Sequence, residues 1–164
     1  MGERYLSVTI KAPSAFKLNP LTIGCYIIYR GERFELNYVP KPTESARAYT
    51  KGDAFVYENV KFDSLAYELV RCRFEDYVLN DNQLFTSKPI FAFYAVTVQD
   101  LADRIQANLN RLYGNGVWTV NCDAQYATKS NVNISVSNIN VSEALALAYE
   151  KFGATYRIMN RTIT

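Results

Sequence analysis

The sequence predicts an α+β protein in which a β-rich barrel or sandwich is followed by a smaller α+β unit with two helices on a sheet. Three observations lead to this fold class. Short segments of alternating apolar and polar residues fill the first half of the 164-residue chain. Two stretches with the spacing of amphipathic helices lie in the second half. Apolar residues make up 49% of the chain and charged residues 21%, a balance that permits a buried core and argues against intrinsic disorder.

The first half is expected to consist of strands joined by short turns. In the first strand Leu6, Val8 and Ile10 share one face, and Arg30-Gly31-Glu32 is typical of a hairpin turn between the second and third. Such a succession favours a small barrel or sandwich over a layered α/β sheet. The expected strands cover residues 5–10, 22–29, 33–39, 54–62 and 67–74.

A second unit is expected from residue 89 onward, which gives a β-barrel-like domain at 1–88 and an α+β domain at 89–164. Thr97 and Asp100 have the spacing of a capping box, with Asp in place of the usual Glu, at the start of the first helix. The apolar stripe of that helix consists of Leu101, Ala102, Ile105, Leu109 and Leu112.

The second helix of this unit is expected to begin at Ser142, as its cap, and to end at Gly153. Strands precede, separate and follow the two helices, so the order of elements is β-α-β-β-α-β. This order is typical of a sandwich in which the helices cover one face of a sheet.

The chain contains 18 Lys and Arg residues, 16 Asp and Glu residues and no histidine, and its formal net charge is +2. A charge this small gives no strong field toward nucleic acid or an anionic membrane, so neither is an expected partner. Without histidine, a Ser-His-Asp or Cys-His hydrolase is excluded within this chain, and the commonest metal ligand is missing. The composition favours a binding or structural role over an enzyme, with no small-molecule substrate evident.

The three cysteines, Cys25, Cys72 and Cys122, form no CxxC pair, so neither a zinc knuckle nor a thioredoxin-type motif is available. Cys25 and Cys72 lie in apolar runs, where a free cysteine behaves as a small hydrophobic residue. Buried or half-buried thiols are expected, with a reactive or disulfide-bonded cysteine as the alternative. Synthesis in a reducing cytoplasm fits this usage, and residues 1–10 lack the apolar region of a signal peptide.

Two patterns resemble chemical motifs. Gly114-Asn115-Gly116 follows a helix and precedes a strand, the reverse of a phosphate-binding loop, so a helix end and turn are expected. Glu68, Glu75 and Asp76 could supply the two carboxyl groups, about 5 to 10 Å apart, that glycosidic chemistry needs. Adjacent strand residues point to opposite faces, so solvated strand-end charges are expected instead. The sequence predicts no catalytic, cofactor-binding or metal-binding residue, and no cofactor.

The chain is rich in aromatic residues, with 13 Tyr, 9 Phe and one Trp. Tyr94, Tyr126 and Tyr149 have no basic cluster around them, so packing in the core or between subunits is expected rather than stacking on nucleic acid. Residues 131–140 form a strand whose Asn and Ser face lacks the Lys or Glu that usually blunts a sheet edge. This face is either solvated or covered by another chain.

Three stretches together resemble the bacteriophage tail-hub proteins, a baseplate or tail-tip family that includes the prophage tail endopeptidase-like proteins. Residues 21–36 resemble that family's apolar strand, glycine-containing turn and returning strand, and residues 57–69 resemble two of its aromatic-rich strands. The third stretch is the second unit, where the similar segments are Asn108-Leu-Asn-Arg111, Val117-Trp-Thr119, Glu143-Ala-Leu145, Lys151-Phe-Gly153 and Tyr156-Arg-Ile158.

The resemblance implies a structural component of a phage or prophage tail tip, with paired β-rich hub domains and no catalytic residues. Its partners would be copies of itself, as a homotrimeric ring between tail tube and tip, and other tail proteins. Its location would be the virion tail, after synthesis in the bacterial cytoplasm. In many members an enzyme or fibre domain follows the hub, and the strand-like ending at residues 161–164 is the ending expected of a fragment of a longer chain.

Residues 97–164, taken alone, resemble a different class of protein. They also look like the small N-terminal domain of secretins and TonB receptors, a periplasmic interaction module, through Val141-Ser-Glu-Ala-Leu145 and Gly153-Ala-Thr-Tyr156. That domain would need a signal sequence, and it leaves residues 1–88 unexplained. The tail-hub assignment is therefore preferred.

Overall fold

The computed structural model describes residues 4–13, 21–44, 53–79, 85–123 and 131–164. The structure is 40% strand and 27% helix, so the predicted α+β class is confirmed. The chain divides into two compact units, residues 1–67 and 68–164. This division lies earlier in the chain than the predicted boundary between residues 88 and 89.

The first unit is a single antiparallel sheet in the order β1-β5-β3-β2, with the short strand β4 also paired to β5. The four main strands form a curled half-barrel. The strands are β1 (Tyr5–Pro13), β2 (Tyr26–Tyr29), β3 (Glu32–Glu35), β4 (Thr43–Glu44) and β5 (Asp53–Ser64).

A β-bulge contributes to the curl of this sheet. Val8 pairs with Val60 and Ile10 with Tyr57, so β5 carries one more residue than β1 between these two pairs. Asn59, in the extra stretch, has a φ of 53°, a conformation that asparagine tolerates better than most residues. A bulge bends its strand and increases the local twist.

The β2–β3 hairpin is closed by a two-residue turn. Tyr29 pairs with Glu32, and the two residues between them, Arg30 and Gly31, both have positive φ, at 52° and 78°. Two positive φ values are what a type I′ turn requires, and this turn matches the twist of the strands that it joins. The hairpin predicted from Arg30-Gly31-Glu32 is confirmed.

One face of the sheet in the first unit carries its hydrophobic core. The predicted alternation in β1 is confirmed, because Leu6, Val8 and Ile10 pack against the core while Ser7 and Thr9 are exposed. The buried residues of this core are Phe34, Leu36, Tyr57, Val60 and Phe62.

The second unit contains three helices and three small sheets among the described residues. β6 pairs with β7, β8 pairs with β10, and β12 lies between β11 and β9, antiparallel to the first and parallel to the second. Its elements are α1 (Tyr67–Arg71), β6 (Asp76–Leu79), β7 (Phe85–Lys88), β8 (Ile90–Ala95), α2 (Val98–Tyr113), β9 (Thr119–Val120), β10 (Val132–Ser137), α3 (Val141–Phe152), β11 (Ile158–Met159) and β12 (Thr162–Ile163).

The strand predicted over residues 67–74 is wrong, because Tyr67–Arg71 is a helix. The adjacent residues Glu68 and Leu69 of this helix are both buried, whereas adjacent residues of a strand point to opposite faces. None of the helices in the described ranges is long and apolar enough to cross a membrane.

The start of α2 follows the prediction, while the start of α3 does not. The Asp100 carboxylate accepts a hydrogen bond from the Thr97 backbone N–H at 2.9 Å, as a capping box requires. In α3 the cap is Asn140, which exchanges reciprocal hydrogen bonds with Glu143 at 2.8 and 2.9 Å. Ser142 lies inside the first turn, so its predicted capping role is wrong. The predicted end at Gly153, with a φ of 67°, is confirmed.

The buried apolar stripe of α2 includes fewer residues than the sequence predicted. Leu101, Ala102, Ile105 and Leu109 are buried, whereas Leu112 is 49% exposed. The next inward position after Leu101 and Ile105 is instead taken by Asn108, a buried amide that accepts from the Glu75 N–H and donates to the Glu75 carbonyl, each at 3.1 Å.

A buried carboxylate joins three segments of the second unit. The Glu68 Oε2 accepts hydrogen bonds from the Trp118 indole N–H at 2.7 Å and from Arg161 Nε at 3.0 Å. Its Oε1 lies 2.5 Å from Arg161 Nη2, and its backbone carbonyl accepts from the Tyr113 hydroxyl at 2.7 Å. These contacts explain why the chain from Glu68 onward belongs to the second unit.

Replacing Ile105 with Asp is expected to unfold the second unit, because Ile105 is 1% exposed and an unpaired charge there would cost more than about 4 kcal/mol. Leu112→Asp, on the same helix, should lower the free energy of unfolding by less than about 1 kcal/mol. Urea denaturation followed by circular dichroism compares the two variants. Equal losses would show that the buried face of α2 is misassigned.

Glu68→Ala is expected to lower the free energy of unfolding by about 3 kcal/mol or more, since it leaves the partly buried Arg161 guanidinium without its carboxylate. The matched control is Glu150→Ala, which removes an exposed ion pair to Lys151 of 2.6 Å and should cost less than about 1 kcal/mol. Both values come from chemical denaturation at one pH. Similar costs for the two variants would mean that the Glu68 contacts contribute nothing beyond a surface pair.

Candidate interaction surface

The glycine pair marks the end of a helix. The Gly114 N–H donates to the Asn110 carbonyl at 2.8 Å and closes α2, and Gly114 and Gly116 have φ values of 95° and 79°. The predicted helix end and turn are confirmed. Glycine is needed at these two positions for the backbone conformation, because residues that carry a side chain rarely adopt these φ values.

The carboxylates considered for glycosidic chemistry each have a different partner. Glu75 accepts from the Tyr77 hydroxyl and lies 3.8 Å from Arg111, while Asp76 binds Arg104 at 2.9 Å. Burial and the hydrogen bond to Glu75 raise the pKa of Tyr77 to about 12. Glu75 and Asp76 therefore share no partner and face no common cleft in these contacts.

Glu68 is the residue whose role the sequence pattern concealed. It was expected to be a solvated strand-end charge, and that expectation is wrong because its carboxylate is buried against Trp118 and Arg161. A carboxylate bound by both an arginine and an indole N–H has its hydrogen-bonding capacity largely filled. The arrangement holds three segments together and presents no free group to a substrate.

The cysteines carry free thiols. Cys72 is buried, and burial raises the pKa of its thiol from 9.0 to about 11. Cys25 and Cys122 are half-buried; burial raises the pKa of Cys122, and the nearby Asp123 and Asp103 add to the rise. No group of three or more Cys, Asp or Glu residues that could hold a metal ion occurs within the ranges that the structure describes.

The aromatic residues named from the sequence divide between surface and undescribed positions. Tyr94 and Tyr149 are 61% and 66% exposed, and Tyr126 lies outside the described residues. Neither exposed tyrosine belongs to the core, so the expectation of core packing is wrong for both; packing between subunits stays a prediction.

One face of the β8–β10 strand pair is exposed and uncharged. Alternation places Phe91, Phe93, Ile134 and Val136 toward the interior, where Phe91 and Phe93 stack with ring centroids 5.9 Å apart. The opposite face, here named the β8–β10 outer face, consists of the exposed residues Ile90, Ala92, Tyr94, Asn133, Ser135 and Ser137.

The register of this face sets two large side chains around a small centre. Ala92 pairs with Ser135 in the middle, while Ile90 pairs with Ser137 and Tyr94 with Asn133 at the two ends. Ile90 and Tyr94 are both more than 60% exposed. Surfaces without charge but with exposed aromatic and aliphatic groups resemble the centres of protein interfaces, where charged residues are depleted.

Sequence reasoning identified half of this surface. The Asn and Ser positions of β10 were visible as an unprotected polar face, but the pairing with Ile90, Ala92 and Tyr94 of β8 needs the register. Comparison with protein-family models, curated proteins and solved structures finds no match to this chain.

The native protein is expected to keep Cys72 unmodified by a thiol reagent at pH 8, since a pKa of about 11 in place of 9.0 reduces its thiolate fraction by about a hundredfold. Because its pKa is raised, the Cys72 thiol is expected to become reactive only as the pH rises toward 11. Mass spectrometry after brief alkylation, with Cys72→Ser as the control, measures the modified sites. Alkylation of Cys72 as fast as in urea would contradict this burial.

Proposed function

We propose that this protein is a non-enzymatic structural subunit that assembles with copies of itself in a phage or prophage tail-tip hub. The observation that carries the proposal is the β8–β10 outer face, whose six exposed residues include no charge. The tail-hub assignment itself rests on the resemblance of residues 21–36, 57–69 and the second unit to that family.

The outer face suits contact with another copy of the same chain. Burying it would desolvate no charged group, and it would remove the exposed surfaces of Ile90 and Tyr94 from water. The small central pair Ala92 and Ser135 lets a neighbouring surface approach closely between the two larger side chains. In this proposal the face is covered in a homotrimeric ring.

The finer architecture of the hub domains is also part of the proposal. A barrel-like form of the first unit is supported by its curled half-barrel sheet. Helices covering one sheet are supported by the order β8, α2, β9, β10, α3, β11. Other tail proteins, and the virion tail as location, follow from the resemblance alone.

A second candidate function is a periplasmic interaction module of the secretin and TonB-receptor type. It is favoured by the compactness of residues 68–164, which form a unit with internal contacts of its own. Gene order distinguishes the two functions. A tail-tube or tape-measure gene close upstream supports the hub, whereas a receptor or pilus operon supports the periplasmic module.

Light scattering on the purified chain is expected to give three times the monomer mass of 18.7 kDa. Tyr94→Lys should raise the concentration needed for assembly by about a hundredfold, because the charge is buried without a partner in the trimer. Tyr149→Lys is the matched control, since Tyr149 has nearly the same exposure but lies on α3.

If Tyr94→Lys assembles at the same concentrations as the wild type, the β8–β10 outer face is not the contact between copies. A monomeric wild-type chain at high concentration would contradict self-assembly of this chain. Equal disruption by Tyr94→Lys and Tyr149→Lys would point to a general effect of added charge rather than to the β8–β10 outer face.

A further inference from the structure

The second strand of the half-barrel lies at an edge of its sheet in the part of the chain that the structure describes. Within those residues β2 pairs with β3 on one side and has no strand partner on the other. An unpaired edge offers backbone N–H and C=O groups to another extended segment. Natural edges are commonly blunted by Lys, Pro or a bulge, but the sequence of β2 is Tyr-Ile-Ile-Tyr.

The register identifies the residues whose backbone groups point outward. The Leu36 N–H donates to the Cys25 carbonyl at 2.8 Å, and hydrogen-bonded pairs alternate with non-hydrogen-bonded pairs in an antiparallel ladder. Ile27 with Phe34 and Tyr29 with Glu32 are therefore hydrogen-bonded pairs. Tyr26 and Ile28 then direct their N–H and C=O groups away from β3.

The same two residues also expose their side chains. Tyr26 is 54% and Ile28 66% exposed, while Ile27 between them packs against the core. An added strand would thus gain backbone hydrogen bonds and apolar side-chain contacts at the same positions. This combination is the one used in recognition by strand addition.

A cationic cleft continues this edge at the hairpin end. It has a volume of about 320 Å³ and is lined by residues that include Arg4, Tyr5, Tyr29, Arg30 and Glu32. The Glu32 carboxylate already accepts from Arg4 at 2.6 Å and from the Ser64 hydroxyl at 2.9 Å. The Arg30 guanidinium lies 5.2 Å from the Tyr29 ring and has no ion pair among the described residues.

The charge that reaches solvent here is positive. In the pair Arg4–Glu32 the side chains are 56% and 8% exposed, and in the pair Arg33–Glu35 they are 39% and 11% exposed. The carboxylates are turned inward while the arginine side chains are partly exposed to water. Together with Arg30, these arginines present positive charge to a ligand at this edge, and neither glutamate presents an accessible carboxylate.

We propose that the β2 edge and its cleft bind an extended, acidic and apolar segment of a partner protein, which adds as a strand beside Tyr26 and Ile28. An apolar side chain of the segment would lie against Ile28, and a carboxylate beyond the strand would reach Arg30. The inference uses residues of the first unit only and is independent of the proposed assembly through the β8–β10 outer face.

The probe is the peptide acetyl-Thr-Glu-Val-Thr-Val-Glu-Thr-amide, titrated into the full chain labelled with ¹⁵N. Backbone amide shifts are expected to saturate and to be largest at Tyr26 and Ile28. Two control peptides carry Lys in place of both Glu residues, or Pro in place of the central Thr. Each is expected to bind at least about tenfold more weakly, through lost charge complementarity or a lost backbone donor.

Matched variants of the protein test the backbone contact and the charge separately. Ile28→Pro removes an N–H that β3 does not use, and an edge strand tolerates proline, so binding should weaken about tenfold or more. Ile28→Thr keeps the N–H and should bind within about threefold of wild type. Arg30→Glu should reverse the preference between the Glu and Lys peptides.

Shifts that do not saturate, or that map away from β2, would overturn the proposal. Equal binding by Ile28→Pro and Ile28→Thr would also overturn it, since strand addition requires the outward N–H. If the peptide fails to bind and Ile28→Pro lowers the oligomeric mass, the edge is occupied by a second copy of this chain and not by a partner segment.

Discussion

The second unit depends on the burial of one charged group, the Glu68 carboxylate. Burying a carboxylate away from water costs several kcal/mol unless its oxygens accept hydrogen bonds. Here the Glu68 oxygens accept hydrogen bonds from the Trp118 indole N–H and from the Arg161 guanidinium. Because these residues come from α1, the segment after α2 and the β11–β12 turn, satisfying one side chain determines where three segments lie. Such a pair need not add net stability over an apolar cluster, but it penalises any fold that leaves it incomplete.

The two units use the same means of leaving a surface available for contact. In each, alternation sends apolar side chains to the core from one face of a strand, while the other face keeps exposed aromatic and aliphatic groups such as Tyr26 and Tyr94. The difference lies in charge. The β8–β10 outer face is uncharged, whereas β2 is bordered by guanidiniums including Arg30. A neutral face suits another copy of the same chain, and a cationic edge suits an unlike partner.

Local rules predicted much of the fold. The alternation of β1, the turn at Arg30-Gly31 and the capping box at Thr97 depend on residues within a few positions of one another, and each is confirmed. The role of Glu68 was missed because it depends on distant residues. Arg161 lies 93 positions from Glu68, so a nearby sequence window shows only an acidic residue in an apolar run. The candidate surface was half visible for the same reason, since Asn133 and Tyr94 meet only through the strand register.

The position of the single tryptophan has a spectroscopic consequence. Trp118 is the only tryptophan in the chain, and it is 1% exposed with its indole N–H bonded to Glu68. Its fluorescence therefore reports on the second unit, whereas tyrosine absorbance comes from both units, because residues 1–67 and 68–164 both contain tyrosines. The unfolding of the second unit can thus be followed in the unmodified protein through Trp118 alone, and a difference between that melting curve and one recorded by far-ultraviolet circular dichroism, which reports on both units, measures how cooperatively the two units unfold.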